Sequence, residues 1–314
     1  MSKVAVLAIG GNSLIPDAQH QTIPDQHRAA AETCRHVVRL IREGYNVVLT
    51  HGNGPQVGFL LRRSELAAHE LHRIPLDICV ADTQGAIGYQ LQIALRNEFQ
   101  RLGMNRTALT VVTQVIVDRD DPAFKKPSKP VGGFMSAQDA EKRRAEWGWE
   151  VVEDAGRGWR RVVASPEPKE IVEFEPIEAL VKTGFVVVAV GGGGIPVYQD
   201  PERGLVGTAA VIDKDLASSL LASKLKADLL IVSTAVEKVY LHFGKPEQKA
   251  LDSVTVGEAR RYIAEGHFKP GSMLPKVQAA VGFVERGGEQ AIITDPDHLV
   301  SAVKGSAGTR IVAG

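Results

Sequence analysis

Three features of the sequence predict an α/β protein, a three-layer α/β/α sandwich around a mainly parallel sheet with an inserted α/β lid subdomain. Short apolar runs rich in β-branched residues recur along the chain, glycine-rich turns follow several of them, and amphipathic helical segments lie between. Phe185 to Val190 is such a run, continuous rather than alternating, as suits a parallel strand covered on both faces. It empties into Gly191-Gly192-Gly193-Gly194. Four residues without Cβ let the backbone approach a ligand and turn N–H groups toward an anion such as phosphate; a merely flexible loop is the alternative. Just beyond, Lys214 stands between Asp213 and Asp215 on the approach to the apolar helical run Leu216, Ala217, Leu220, Leu221.

The elements follow in order. Val4 to Ile9 is a first buried strand, and Gly10-Gly11-Asn12-Ser13 a tight turn behind it. From Asp25 to Glu43, Ala30, Cys34, Val37, Val38 and Ile41 recur at helical spacing, and Gly44 stands where a C-terminal cap belongs. Asn46 to Thr50 is a strand that opens into His51-Gly52-Asn53-Gly54-Pro55-Gln56, with a helix to about Leu71 after it. Pro75-Leu76-Asp77 introduces a long helix to about Leu102, and Ala108 to Val117 reads as one strand. From Asp118 to Ala164 the chain turns polar and rich in turns, with Lys125-Lys126-Pro127-Ser128-Lys129-Pro130 and Gly132-Gly133. A helix from Ala137, with Ser136 and Asp139 spaced as a capping box, precedes a hairpin of Glu150 to Glu153 and Trp159 to Val163 around Ala155-Gly156-Arg157-Gly158. Phe134, Trp147, Trp149 and Trp159 mark this as a folded insertion, since disordered segments lack such aromatics. Leu229 to Ser233 and Val239 to Phe243 are further strands, and Thr255 to Glu265 is a helix. Gly271-Ser272-Met273-Leu274-Pro275-Lys276 precedes another helix, and Gln290 to Thr294 and Thr309 to Val312 are the last strands. Ligands in such sheets collect beyond the carboxyl ends of the strands, where the glycine turns would lie.

At 314 residues the chain can bury a substantial core as two domains or one large unit with an insertion. Lys plus Arg and Asp plus Glu number 37 each, so no global field would draw in nucleic acid or an anionic membrane. Cys34 and Cys79 make no disulfide framework and lack zinc-site spacing, which suits a reducing cytoplasm. The N-terminal apolar run is too short for a signal peptide, and no segment has the roughly 20 apolar residues of a membrane helix, so a soluble protein is expected.

None of the glycine turns is a Walker A sequence or a dinucleotide fingerprint. Three of them at strand ends, with Lys129, Lys214 and Lys276 each beside glycine, proline or carboxylate, favour phosphoryl transfer, which needs positioning and positive charge more than covalent chemistry. Solvated surface lysine is the competing reading; it is set aside for Lys214 and Lys276 and left open for Lys129, close to Lys125 and Lys126. A Gly-x-Ser-x-Gly elbow is absent, His69-Glu70-Leu71-His72 lacks the spacing of a zinc helix, and no metal ligands are assigned. His51, between glycine turns, is expected to hold its loop by a hydrogen bond rather than act as a base.

Several of these pieces together resemble the carbamate kinases of the amino-acid kinase superfamily, from end to end of the chain. They are Ile9-Gly-Gly-Asn-Ser-Leu, Thr50-His-Gly-Asn-Gly-Pro-Gln-Val-Gly, Pro75-Leu-Asp-Ile-Cys, Thr83-Gln-Gly, Lys129-Pro-Val-Gly, Glu153-Asp-Ala-Gly-Arg-Gly-Trp-Arg-Arg-Val-Val, Gly191-Gly-Gly-Gly-Ile-Pro-Val, Val211-Ile-Asp-Lys-Asp-Leu-Ala-Ser and Gly271-Ser-Met-Leu-Pro-Lys. Asp82 departs from the pattern, where Met is expected, and so does Gly133, where Pro is frequent. The resemblance implies reversible phosphoryl transfer between ATP and carbamate, giving ADP and carbamoyl phosphate, with Mg2+ on the nucleotide phosphates, in a cytoplasmic homodimer of arginine metabolism. It implies an N-terminal domain, 1–214, that binds carbamate and the phosphoryl group and dimerises, an inserted lid, 118–164, and a nucleotide-binding domain, 215–314. Gly10, Gly11, Asn12, Gly52 and Asn53, with Gly192, Gly193 and Gly194, would cradle the transferred group and carbamate, and Lys129 would reach in from the lid. Lys214 would stabilise the transferring phosphoryl, oriented by Asp213 and Asp215. Lys276 would hold nucleotide phosphates, with Thr234, Ala235, Val236, Tyr240, Met273 and Pro275 around the nucleotide. Another acyl-phosphate-forming amino-acid kinase is the nearest rival, and a non-catalytic nucleotide sensor on the same fold is a rival of a different class.

Overall fold

The computed structural model describes residues 3–17, 19–153 and 158–314, and for Asn12 the backbone alone. Asp154, Ala155, Gly156 and Arg157 of the expected hairpin turn lie outside the described residues. Among the described residues, eight strands form the central sheet in the order Ser253–Thr255, Thr309–Val312, Gln290–Thr294, Leu229–Ser233, Lys3–Ile9, Tyr45–His51, Val186–Val188, Ala108–Thr110. All neighbours pair parallel except Gln290–Thr294 with Thr309–Val312. The carboxyl ends of Lys3–Ile9, Tyr45–His51, Val186–Val188 and Leu229–Ser233 therefore share one edge, where the glycine turns emerge.

Alternation along these strands feeds two separate cores. Ala5, Leu7, Ile9, Val47, Leu49 and Ile231 face the helices Ile23–Arg42 and Leu76–Arg101, packing on Cys34, Val38, Leu91 and Leu95. Val6, Val48, Val187, Leu230 and Val232 face the opposite layer, the helices Phe174–Lys182, Lys214–Lys224 and Met273–Glu285. A strand buried on both faces must be apolar at every position, which is why these runs do not alternate with polar residues. The helix Ile23–Arg42 is fixed at its start by a capping box, with Thr22 accepting from the Asp25 backbone and Asp25 from that of Thr22.

The expected single strand from Ala108 to Val117 is two. Ala108–Thr110 closes the central sheet, and Gln114–Val117 joins a second sheet with Gly204–Gly207, Ile195–Asp200 and Pro168–Ile171. The insertion folds as Lys129–Met135, Trp159–Val163 and Glu150–Glu153, an antiparallel sheet in that order, under the helix Ala137–Trp147. Ser136 caps that helix by accepting from the Asp139 N–H at 3.0 Å, and Gly148 ends it at φ 64°. Lys129–Met135 was not expected as a strand; its Pro130 and paired glycines are tolerated because it lies at a sheet edge. This strand rests on the helix Gly54–Leu66, where a Cβ on Gly58 would stand 3.3 Å from the Cα of Gly132.

Candidate active site

Asp213 is the N-cap of the helix Lys214–Lys224, its Oδ1 accepting from the Asp215 N–H at 2.9 Å. Lys214 is thus the first helical residue, and its side chain turns back toward the strand ends, so that a Cβ on Gly52 would lie 3.7 Å from its Cε and 3.3 Å from the Gly11 nitrogen. Asp215 divides its oxygens between two lysines, Oδ1 to Lys214 Nζ at 2.5 Å and Oδ2 to Lys276 Nζ at 3.0 Å. Lys276 comes from the first turns of Met273–Glu285, which begins earlier than the sequence suggests and includes Met273 and Pro275. The second oxygen of Asp213 takes Lys129 Nζ at 2.7 Å, from the start of the insertion's strand Lys129–Met135. Lysines far apart in sequence therefore meet on one carboxylate pair.

Asp215 is 4% exposed and Lys214 11%. Burial alone would raise the Asp215 pKa, but the two ammonium groups outweigh it and hold the carboxyl at about 2. Burial lowers the pKa of Lys214, and Asp215 opposes that shift. An ammonium has three donors, and Lys214 and Lys276 each spend one on Asp215, so donors remain for an anionic ligand. Paired lysines around a shared carboxylate suit developing phosphate charge. They form no general base. His51, next to Gly52, is fully buried with Nδ1 3.0 Å from the Gly52 carbonyl; burial pushes its pKa down to about 4, so it holds its loop as a neutral ring.

The four-glycine turn is packed so closely that no Cβ fits at any of its positions. A Cβ on Gly191 would strike the His51 ring, on Gly192 the Asn53 amide, on Gly193 the Ile212 carbonyl at 2.5 Å, and on Gly194 the Val115 side chain. Gly192, Gly193 and Gly194 also have positive φ. These glycines are buried, so close protein packing explains their missing side chains, and the turn backs Asn53 from behind. Gly52 stands against both Gly11 and the Lys214 side chain, so those two turns come together at the lysine. Asn53 donates to Thr83 Oγ1 at 2.9 Å.

Gln84, so far only a letter of the Thr83-Gln-Gly motif, and Thr113, which the sequence did not single out, fix this turn. Gln84 donates to the Gly191 and Thr113 carbonyls at 2.9 and 3.0 Å and accepts from the Thr113 N–H at 2.7 Å. Thr113 Oγ1 accepts from Val190 N–H at 3.0 Å, holding Val190 at φ 53°. Gln84 lies on the buried face of its helix beside Thr83, and that buried amide within the motif is the signal that could have found the pair. Thr50 and Ser218, whose hydroxyls lie 2.5 Å apart, tie the strand end to the Lys214 carbonyl, which accepts from Ser218 at 2.6 Å.

Thr234, Ala235 and Val236 follow Leu229–Ser233 at the same sheet edge, Thr234 donating its N–H to the Thr294 carbonyl at 2.8 Å. Tyr240 sits on the strand Val239–Leu241, its ring 5.8 Å from that of Phe243. A cleft of about 850 Å3 opens between the helix Gly54–Leu66 and the insertion, lined by Pro55, Gly58, Pro130, Val131 and Gly132 among others.

Residues 3–295 match the model of the amino acid kinase family. The chain is 52% identical to the carbamate kinase-like protein YahI of Escherichia coli, over 99% of each. It is 48% identical to the carbamate kinase of Thermococcus kodakarensis, again over 99% of each. Among solved structures, the carbamate kinase of Giardia lamblia bound to AMP-PNP superposes with a TM-score of 0.93 at 39% identity, covering 100% of this chain and 99% of that one. The chain belongs to the amino acid kinase family and groups there with the carbamate kinases.

Proposed function

We propose that the protein is a carbamate kinase, transferring a phosphoryl group reversibly between carbamoyl phosphate and ADP to give ATP and carbamate. The observation that carries this reading is the meeting of Lys129, Lys214 and Lys276 on Asp213 and Asp215 at the carboxyl edge of the sheet. Carbamate attacks through an oxygen that is already anionic, so no base has to remove a proton, and a cluster of ammonium donors suffices. Lys214 stabilises the transferring group against the Gly10–Gly11 and Gly52–Asn53 turns, Asp213 and Asp215 aim the lysines, and Lys129 closes the carbamate side from the lid. Lys276 holds nucleotide phosphates, with Met273, Pro275, Thr234, Ala235, Val236 and Tyr240 around the nucleotide in the 215–314 domain. The AMP-PNP on the Giardia relative supports ATP as the nucleotide.

Mg2+ is read as arriving on the nucleotide phosphates. The oxygens of Asp213 and Asp215 are all engaged, and among the described residues no group of three or more His, Cys, Asp or Glu could hold an ion. A homodimer is supported by the helix Leu76–Arg101, which leaves Ile78, Tyr89 and Ile93 exposed on one stripe. Small-molecule work in the cytoplasm, with arginine metabolism as its setting, belongs to this proposal; among the described residues no helix is long and apolar enough to cross a membrane. The test is ATP formation from MgADP with carbamoyl phosphate, run beside acetylglutamyl phosphate. Faster turnover of the latter would give the site to a larger acid, and no turnover of either would favour a sensor.

A further inference from the structure

All three tryptophans of the chain lie in the insertion, and two of them join a stack that ties it to the body. Arg73, between the helices Gly54–Leu66 and Leu76–Arg101, places its guanidinium carbon 5.0 Å from the Trp147 ring centroid. Arg143 covers Trp147 at 3.7 Å, Trp147 and Trp149 meet edge to face at 5.1 Å, and Arg161 stands over Trp149 at 4.7 Å. Glu65, near the end of Gly54–Leu66, pairs with Arg143 at 3.8 Å. Arg73 and Glu65 belong to the body, and the other four side chains to the insertion. A guanidinium over an indole face is drawn to the ring quadrupole, and alternating the two groups builds one continuous stack across the seam.

The strand that starts at Lys129 belongs to the same three-stranded sheet as Arg161. Where that sheet sits decides whether the Lys129 ammonium reaches Asp213. We infer that Glu65, Arg73, Arg143 and Trp147 are positioning residues, a latch that holds the insertion down and so places Lys129 over the carbamate side of the site. This inference rests on the phosphoryl-transfer reading for its kinetic consequence only. The latch itself is visible without substrate, because the tryptophans that would report its opening are the ones it contains.

The test compares wild type with Arg73→Ala, Trp147→Ala and Trp147→Phe. Arg73 is exposed, and its substitution leaves every tryptophan in place. In free Arg73→Ala protein, acrylamide should quench tryptophan fluorescence more strongly than in wild type. In the ATP-forming assay, Arg73→Ala and Trp147→Ala should raise KM for carbamoyl phosphate by about tenfold, because only the closed fraction binds it well, with KM for ADP little changed. Trp147→Phe, which keeps an aromatic face, should recover most of the loss. Unchanged quenching together with an unchanged carbamoyl phosphate KM would overturn the latch. A parallel rise in both KM values would reduce it to a general structural role, which also overturns it. A wild-type protein that makes no ATP would defeat the phosphoryl-transfer reading, and the quenching arm would still decide the latch.

Discussion

Acid should destabilise this protein through His51. The ring is fully buried, its Nδ1 faces the Gly52 carbonyl, and Nε2 has no hydrogen-bond partner. A Cβ on Gly191 would strike the same ring, so no room is left there for an acceptor. A second proton would therefore be placed on a desolvated nitrogen in a region that already holds Lys214, and burial, with that lysine adding to it, lowers the pKa from 6.5 to about 4. The unfolded chain binds this proton below pH 6.5 and the native protein only below about 4, so stability falls as pH drops through that window and the loss levels off beneath it. At about 1.4 kcal/mol per pH unit the loss is on the order of 3 kcal/mol. His51→Asn keeps a donor for the Gly52 carbonyl and removes the titration. It should be less stable than wild type at pH 7.5, yet the gap should close steadily as urea midpoints are followed down to pH 4.5. Because both proteins keep the same carboxylates, the difference isolates this residue. Parallel curves would refute the account.

Gly58→Val places a branched side chain where even a single Cβ would stand 3.3 Å from Gly132, so it should lift the lid strand. KM for carbamoyl phosphate should rise about tenfold or more, with ADP binding and the melting temperature close to wild type, as steady-state kinetics and calorimetry would show. Tyr89→Arg, at the centre of the exposed apolar stripe, should shift the protein toward monomer in sedimentation velocity; an unchanged mass would place the dimer surface elsewhere or remove it.

Much of the scaffold was legible because doubly buried strands and amphipathic helices leave patterns that survive in one dimension. The Ile23–Arg42 helix and the Leu229–Ser233 strand fall within two residues of where their periodicity puts them. The run from Ala108 misled because two strands of different sheets follow each other with almost no polar break, and the turn between them is set by a distant side chain, Gln84. The helix Phe174–Lys182 escaped notice, being a short segment with Pro176 in its first turn. In the site, Lys214 and its flanking carboxylates were readable from local sequence. That Lys129 and Lys276 would pair with those same carboxylates was not, since it depends on elements 84 and 61 positions away. The four glycines gave a true signal of close approach, and on the protein side the approaching groups are His51, Asn53, Ile212 and Val115.

Phosphorus NMR of the purified protein with carbamoyl phosphate and MgADP, followed beside Lys214→Ala and Lys276→Ala, tests the central claim most directly. The account predicts that the carbamoyl phosphate signal is replaced by the γ-phosphate of ATP in wild type. It predicts the same transfer about 100-fold slower or more in each lysine variant, with circular dichroism showing both folded. Release of inorganic phosphate without an ATP signal in wild type, or transfer at the wild-type rate in either folded variant, would contradict it.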